Sequence, residues 1–141
     1  MMRGTGVGSA LMVAALVASC AATNRYVLDK CAVETTVEVP HDGDTVPTTL
    51  CSYSEEGDLA IGIRQMTARD YADARKSFES AVARTDGNSR RNAYHALGVA
   101  CEMLGALADA ESAYKQANLL DDKAKYERDI LRVQKKLGKS K

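Results

Sequence analysis

An offset of 36 residues superposes the middle of this 141-residue chain on itself without a gap. Under that offset Gly62 falls on Gly98, Ala74 on Ala110, Phe78 on Tyr114, Ala81 on Ala117 and Ile61 on Leu97. A fixed period of this size is the sequence mark of one supersecondary unit repeated and stacked on itself. Small residues at a helix crossing let two backbones approach, and an aromatic ring one turn further on fills the space beside them. The coincident positions are of these two kinds, so residues 59–120 are expected to hold two helical hairpins. Gly98 and Ala110 are expected to face each other where the helices of the second hairpin cross, as are Gly62 and Ala74 in the first.

The second copy, from Tyr94, His95, Ala96, Leu97 and Gly98 through Gly105 to Ala110, Tyr114 and Ala117, resembles the tetratricopeptide repeat. That family carries a small residue midway along its first helix and an alanine–aromatic–alanine triplet in its second. The first copy departs from it, with Arg69 in place of the turn glycine and Gln65 in place of an apolar or aromatic residue. The resemblance implies a mainly α fold, with two stacked hairpins over residues 54–121 and a concave groove lined by the first helix of each. Carried onto this sequence, the groove positions are Leu59, Ile63 and Met66 from the first copy and Asn92, His95, Val99 and Glu102 from the second. Such a groove, half apolar and half polar, suits an amphipathic or extended peptide. The alternative is that Leu59, Ile63 and Met66 are buried under the N-terminal segment. Chaperone-binding members clamp a partner's terminal carboxylate with basic residues. Here Leu59, Ile63 and Ala96 occupy three of those places, which argues against a co-chaperone.

Local signals place the helices. Ser52 with Glu55 has the spacing of a capping box, so the first helix is expected from about Ser54 to Met66. A second is expected over residues 70–84, followed by a cluster of breakers at residues 85–89. A third spans residues 90–104, Gly105 turns the chain, and a fourth covers residues 107–119. In residues 122–141 Tyr126, Ile130, Val133 and Leu137 form one apolar stripe, as a helix capping the last hairpin requires. Cys101 reads as a buried free thiol within the third helix.

Residues 31–53 carry a different pattern. Val33, Thr35, Val37 and Val39 alternate with Glu34, Thr36 and Glu38, the signature of a half-buried strand. A turn at residues 41–44 leads to a β-favouring stretch interrupted by Pro47, which suits an edge strand. Cys31 and Cys51 bracket this hairpin or extended segment, and in an exported chain a disulfide between them is expected. A tight Asp42–Gly43 turn would set Cys51 opposite Glu34 and Cys31 opposite Ser54, so the thiols would not face each other. Either the loop is longer or the bridge lies outside the ladder. His41, Asp42 and Asp44 match no metal-ligand spacing and read as a solvated turn, so no metal is expected.

Residues 1–19 read as an export signal: Arg3, then an apolar run, then Leu16, Val17, Ala18 and Ser19 before Cys20. Small residues before a cysteine resemble the bacterial lipobox, in which the thiol is alkylated by diacylglycerol and the chain is cut just before it. That resemblance implies a lipoprotein anchored through Cys20, with residues 20–30 as tether. Ala21 stands in place of the aspartate linked to inner-membrane retention in some bacteria, which points to the outer membrane, facing the periplasm. The habit differs between bacterial groups, so inner-membrane retention stays open.

Formal net charge is zero, which argues against nucleic acid as a partner. Two distant histidines, no paired carboxylates in an apolar setting and no phosphate-binding loop argue against an enzyme, and no cofactor is expected. The expected function is a lipid-anchored adaptor that binds a protein or peptide in the envelope, such as a secretion, pilus or outer-membrane assembly complex. The alternative is a structural anchor whose basic C-terminus, residues 132–141, grips cell-wall or anionic envelope components.

Overall fold

Residues 30–121 and 123–138 are described by a computed structural model, and the signal, Cys20 and residues 20–29 of the tether lie outside them. Among the described residues two strands come first, β1 (Val33–His41) and β2 (Asp44–Ser52). Five helices follow: α1 (Asp58–Thr67), α2 (Tyr71–Arg84), α3 (Gly87–Met103), α4 (Leu107–Leu119) and α5 (Glu127–Lys136). Each helix packs on the next along the chain, and the hairpin lies on α1 and α3. Residues Cys31–Lys141 form one compact unit.

The turn between the strands is the tight one. His41 pairs with Asp44, and Asp42 and Gly43 have φ of 49° and 81°, the two left-handed residues of a type I′ turn. Cys51 therefore stands opposite Glu34, yet Cys31 and Cys51 are bonded, with their Cα atoms 5.4 Å apart. The N–H of Ala32 donates to the Ser52 carbonyl at 2.7 Å, while Val33 is the ladder partner of Ser52. Two residues thus oppose one, the count of a β-bulge. The extra residue shifts Cys31 to the face that carries Cys51, and the bridge closes just outside the ladder. Val37, Val39, Thr48, Leu50 and Ser52 share the other face and are buried on the helices.

The helical part repeats in its backbone as well as its sequence. α1 ends in a left-handed Arg69, φ 62°, whose N–H donates to the Met66 carbonyl while Asp70 N–H donates to Gln65. α3 ends in a left-handed Gly105, φ 77°, with Gly105 N–H on Glu102 and Ala106 N–H on Cys101. These are two copies of one Schellman cap, 36 residues apart, and Arg69 does the work of the glycine. A Cβ on Gly98 would sit 2.6 Å from two carbons of the Tyr114 ring, and one on Gly62 would strike the Phe78 ring. Each glycine therefore meets the aromatic ring of the following helix. The expected pairing of Gly98 with Ala110, and of Gly62 with Ala74, is corrected to that extent.

Two helix starts also differ from expectation. Ser52 belongs to β2, and its hydroxyl donates to the Ser54 carbonyl at 2.7 Å, so it caps a local turn. The chain needs residues 53–57 to swing from strand to helix, and α1 begins only after Gly57, φ 96°. α3 begins at Gly87, earlier than expected. Asp, Asn and Ser break helix interiors but suit a first turn, so the breaker cluster became the beginning of the helix.

Candidate functional site

The positions expected to line a concave groove are brought onto one side of α1 and α3, and the chain's own hairpin lies over them. Leu59 is 6% exposed, Met66 2%, and Ile63 and Val99 are fully buried. They join Val37, Val39 and Leu50 in one continuous core. These four are core residues, and of them Met66 also borders a hollow of about 400 Å³ beside Thr35, Arg69 and Tyr71. The alternation of β1 and β2 provides an apolar face, the first helices provide another, and burying both against each other is the favourable arrangement.

Glu102 is also buried, with its side chain fully enclosed, and it is held by three donors. Arg132 Nε and Nη2 donate to its two oxygens at 2.9 and 2.8 Å, Lys136 Nζ at 2.5 Å and the Tyr114 hydroxyl at 2.8 Å. Burial pushes the Glu102 carboxyl upward, but these hydrogen bonds outweigh it and its pKa lies below the ordinary value. Arg132 Nη2 also reaches Asp129 at 2.8 Å. Burial raises the Asp129 pKa in spite of that bond. The cluster ties α3, α4 and α5 together. Of the basic C-terminal run, Arg132 and Lys136 thus turn inward, and Lys135 donates to Asp42 in the hairpin turn at 2.8 Å. The sequence offered one signal for this, an arginine beside the apolar stripe of α5.

Asn92 and His95, the remaining groove positions, line a cleft of about 360 Å³ between β2, α3 and the start of α5. Its walls include Pro47, Thr49, Cys51, Lys125, Tyr126, Arg128 and Asp129. An apolar hollow of about 450 Å³, lined by His41, Val46, Leu131 and Lys135 among others, continues from it and shares Val46, Arg128 and Arg132. The His95 ring stacks on Tyr126 with centroids 4.5 Å apart and lies 3.7 Å from Asp129. Burial, with the charges of Lys125, Arg132 and Arg91, lowers its pKa to about 3, so it is neutral at ordinary pH. The Asn92 amide nitrogen is buried with no hydrogen-bond partner. Among the described residues neither Lys125 nor Arg128 has a carboxylate within ion-pair distance.

The chemistry available here is recognition. Lys125 and Arg128, unpaired among the described residues, border an opening also lined by Asn92, Tyr126 and Val46, which suits an acceptor-rich ligand with some apolar surface. Among the described residues no group of His, Cys, Asp or Glu is arranged to hold a metal ion. No helix among them is long and apolar enough to cross a membrane. Cys101 is free and buried in α3, where burial raises its thiol to about 11. Comparison with protein-family profiles, with curated proteins and with solved structures returns no match for this chain.

Proposed function

We propose that this chain is a non-enzymatic binding protein, built on two stacked hairpins of the tetratricopeptide kind and anchored to the outer membrane through lipid on Cys20. Its partner is a protein or peptide of the cell envelope. The observation that carries this reading is the cleft between β2, α3 and α5, which Asn92 and His95 still line after the hairpin has covered the other groove positions. The repeated Schellman cap and the repeated glycine–aromatic contact, both 36 residues apart, support the tetratricopeptide resemblance. A histidine held neutral down to about pH 3, whose neighbouring carboxylate is bonded to Arg132, is a poor general base, and this favours binding over catalysis.

The test is site-specific photocrosslinking in intact envelopes, with the crosslinker at Thr49 beside the cleft and at exposed Lys76 on α2. A discrete adduct with another envelope protein is the expected result. Absence of adducts from both positions overturns the binding role. The anchor is tested separately: Cys20→Ser should leave an uncleaved, unacylated precursor, and normal processing to a soluble form would refute it.

A further inference from the structure

We infer that the free edge of β2 is the docking strand of this cleft, and that its occupant is an extended protein segment with acidic side chains at alternate positions. This rests on the reading of the chain as a binding protein. In a two-residue hairpin the pair flanking the turn is hydrogen-bonded and the pairing alternates from there. Counted from His41–Asp44, the residues Thr45, Pro47, Thr49 and Cys51 direct their backbone groups away from β1. Thr45 N–H is taken by the Asp44 carboxylate at 2.8 Å, and Pro47 has no N–H to offer. Thr49 and Cys51 each keep an N–H and a C=O facing outward, and both residues line the cleft. Pro47 blunts one end of the edge, which limits indiscriminate pairing and leaves a short stretch for a specific strand.

A strand added there sends alternate side chains toward the helices. They meet Lys125, whose Nζ lies 5.8 Å from the Tyr126 ring centre, then Arg128 and Asn92, whose amide oxygen is held by Arg91 and whose buried nitrogen has no hydrogen-bond partner. Among the described residues Asp129 is the one carboxylate in the wall, and it is already bonded to Arg132. An acidic side chain is therefore the complement of what the cleft leaves unpaired. Toward the turn the wall changes to Val46 and Leu131, the latter 52% exposed, and an apolar side chain fits that end.

The probe is a fluorescein-labelled peptide of alternating threonine and glutamate ending in leucine, titrated against the full chain and read by anisotropy. Binding is expected to weaken with salt. It should weaken about tenfold or more in Arg128→Ala and in Lys125→Ala, the equivalent of one lost charge-assisted bond. Both residues are exposed, so the variants should melt as the wild type does. A peptide with N-methyl groups on the residues that pair with β2 should not bind. The inference is overturned if the probe fails to bind, if glutamine replaces glutamate without loss, or if N-methylation has no effect. The crosslinks separate this failure from that of the binding role. Adducts from Lys76 but none from Thr49 leave a binding protein with a different surface, and an adduct of twice the chain's mass at Thr49 makes a second copy the occupant. Either result removes the acidic-strand inference.

Discussion

At the scale of single residues, Arg69 and Gly105 hold the same backbone conformation at the same point of the repeat, and only one of them is suited to it. A left-handed residue with a Cβ costs about 1–2 kcal/mol, while glycine returns roughly 0.4–1 kcal/mol of that through the freedom of the unfolded chain. Arg69 is exposed, and among the described residues its side chain has no hydrogen bond to lose. Arg69→Gly should therefore stabilise the protein by up to about 1 kcal/mol in urea unfolding. A loss of stability would mean that the two turns are not equivalent. Gly98 carries the opposite constraint. Its helix would gain ~1 kcal/mol from alanine by propensity, but the new methyl lands on the Tyr114 ring, and overpacking costs ~1–3 kcal/mol. Gly98→Ala should be neutral to destabilising, whereas Ser112→Ala on exposed α4 surface should not lose stability. If Gly98→Ala raises the melting temperature, the close glycine–aromatic approach is wrong.

At the scale of elements, α5 is joined to α3 by charge as well as by its apolar stripe. Removing one partner of a buried ion pair typically costs ~3–5 kcal/mol, because the other charge is left buried and uncompensated. Glu102→Gln should approach that loss, since Arg132 then keeps only Asp129. Arg132→Leu should cost less, since Lys136 and Tyr114 still hold Glu102. The double variant should fall short of the sum by ~0.5–3 kcal/mol, and strict additivity would contradict the network. His95 gives the same junction a pH dependence. Its folded pKa is depressed from 6.5 to about 3, so as pH falls below 6.5 the unfolded chain takes up a proton that the folded chain refuses. Its contribution is complete above pH 6.5 and is lost as pH falls toward about 3. In stability measurements from pH 8 to 4, His95→Gln should flatten the decline, and an unchanged slope would place the histidine in water. The elements themselves were legible where local chemistry decides them: α4 runs Leu107–Leu119, as expected from the turn at Gly105. Glu102 and Arg132 were not, because each reads as a solvated charge alone and only the stacking of α5 on α4 brings them together. The helix starts missed for a related reason, since the loop length needed to join β2 to α1 is a tertiary demand.

At the scale of the whole molecule, the hairpin decides which surface is left for function. The tetratricopeptide resemblance implied a groove, and the alternation in β1 implied an apolar strand face. Each was readable from the sequence, but their mutual burial depends on where the chain carries the hairpin, which no local pattern encodes. The disulfide holds that arrangement at its edge, tying Cys31 to the strand that borders the cleft. With a sequence separation of 20, a bridge of this kind contributes about 3 kcal/mol in the chain-entropy estimate. Removing it with Cys31→Ser and Cys51→Ser should therefore lower stability by about that amount. It should not split the unfolding transition, because Val37, Val39 and Leu50 share one core with Ile63 and Val99. Before unfolding, the variant should not bind a hydrophobic dye such as ANS, and the Cys101 thiol, buried and raised to about 11, should resist alkylation. Two separate transitions, or dye binding before the main one, would mean that the bridge rather than the apolar contact holds the hairpin down. The helical groove would then open whenever the disulfide is reduced, and Leu59, Ile63, Met66 and Val99 would become accessible to a partner.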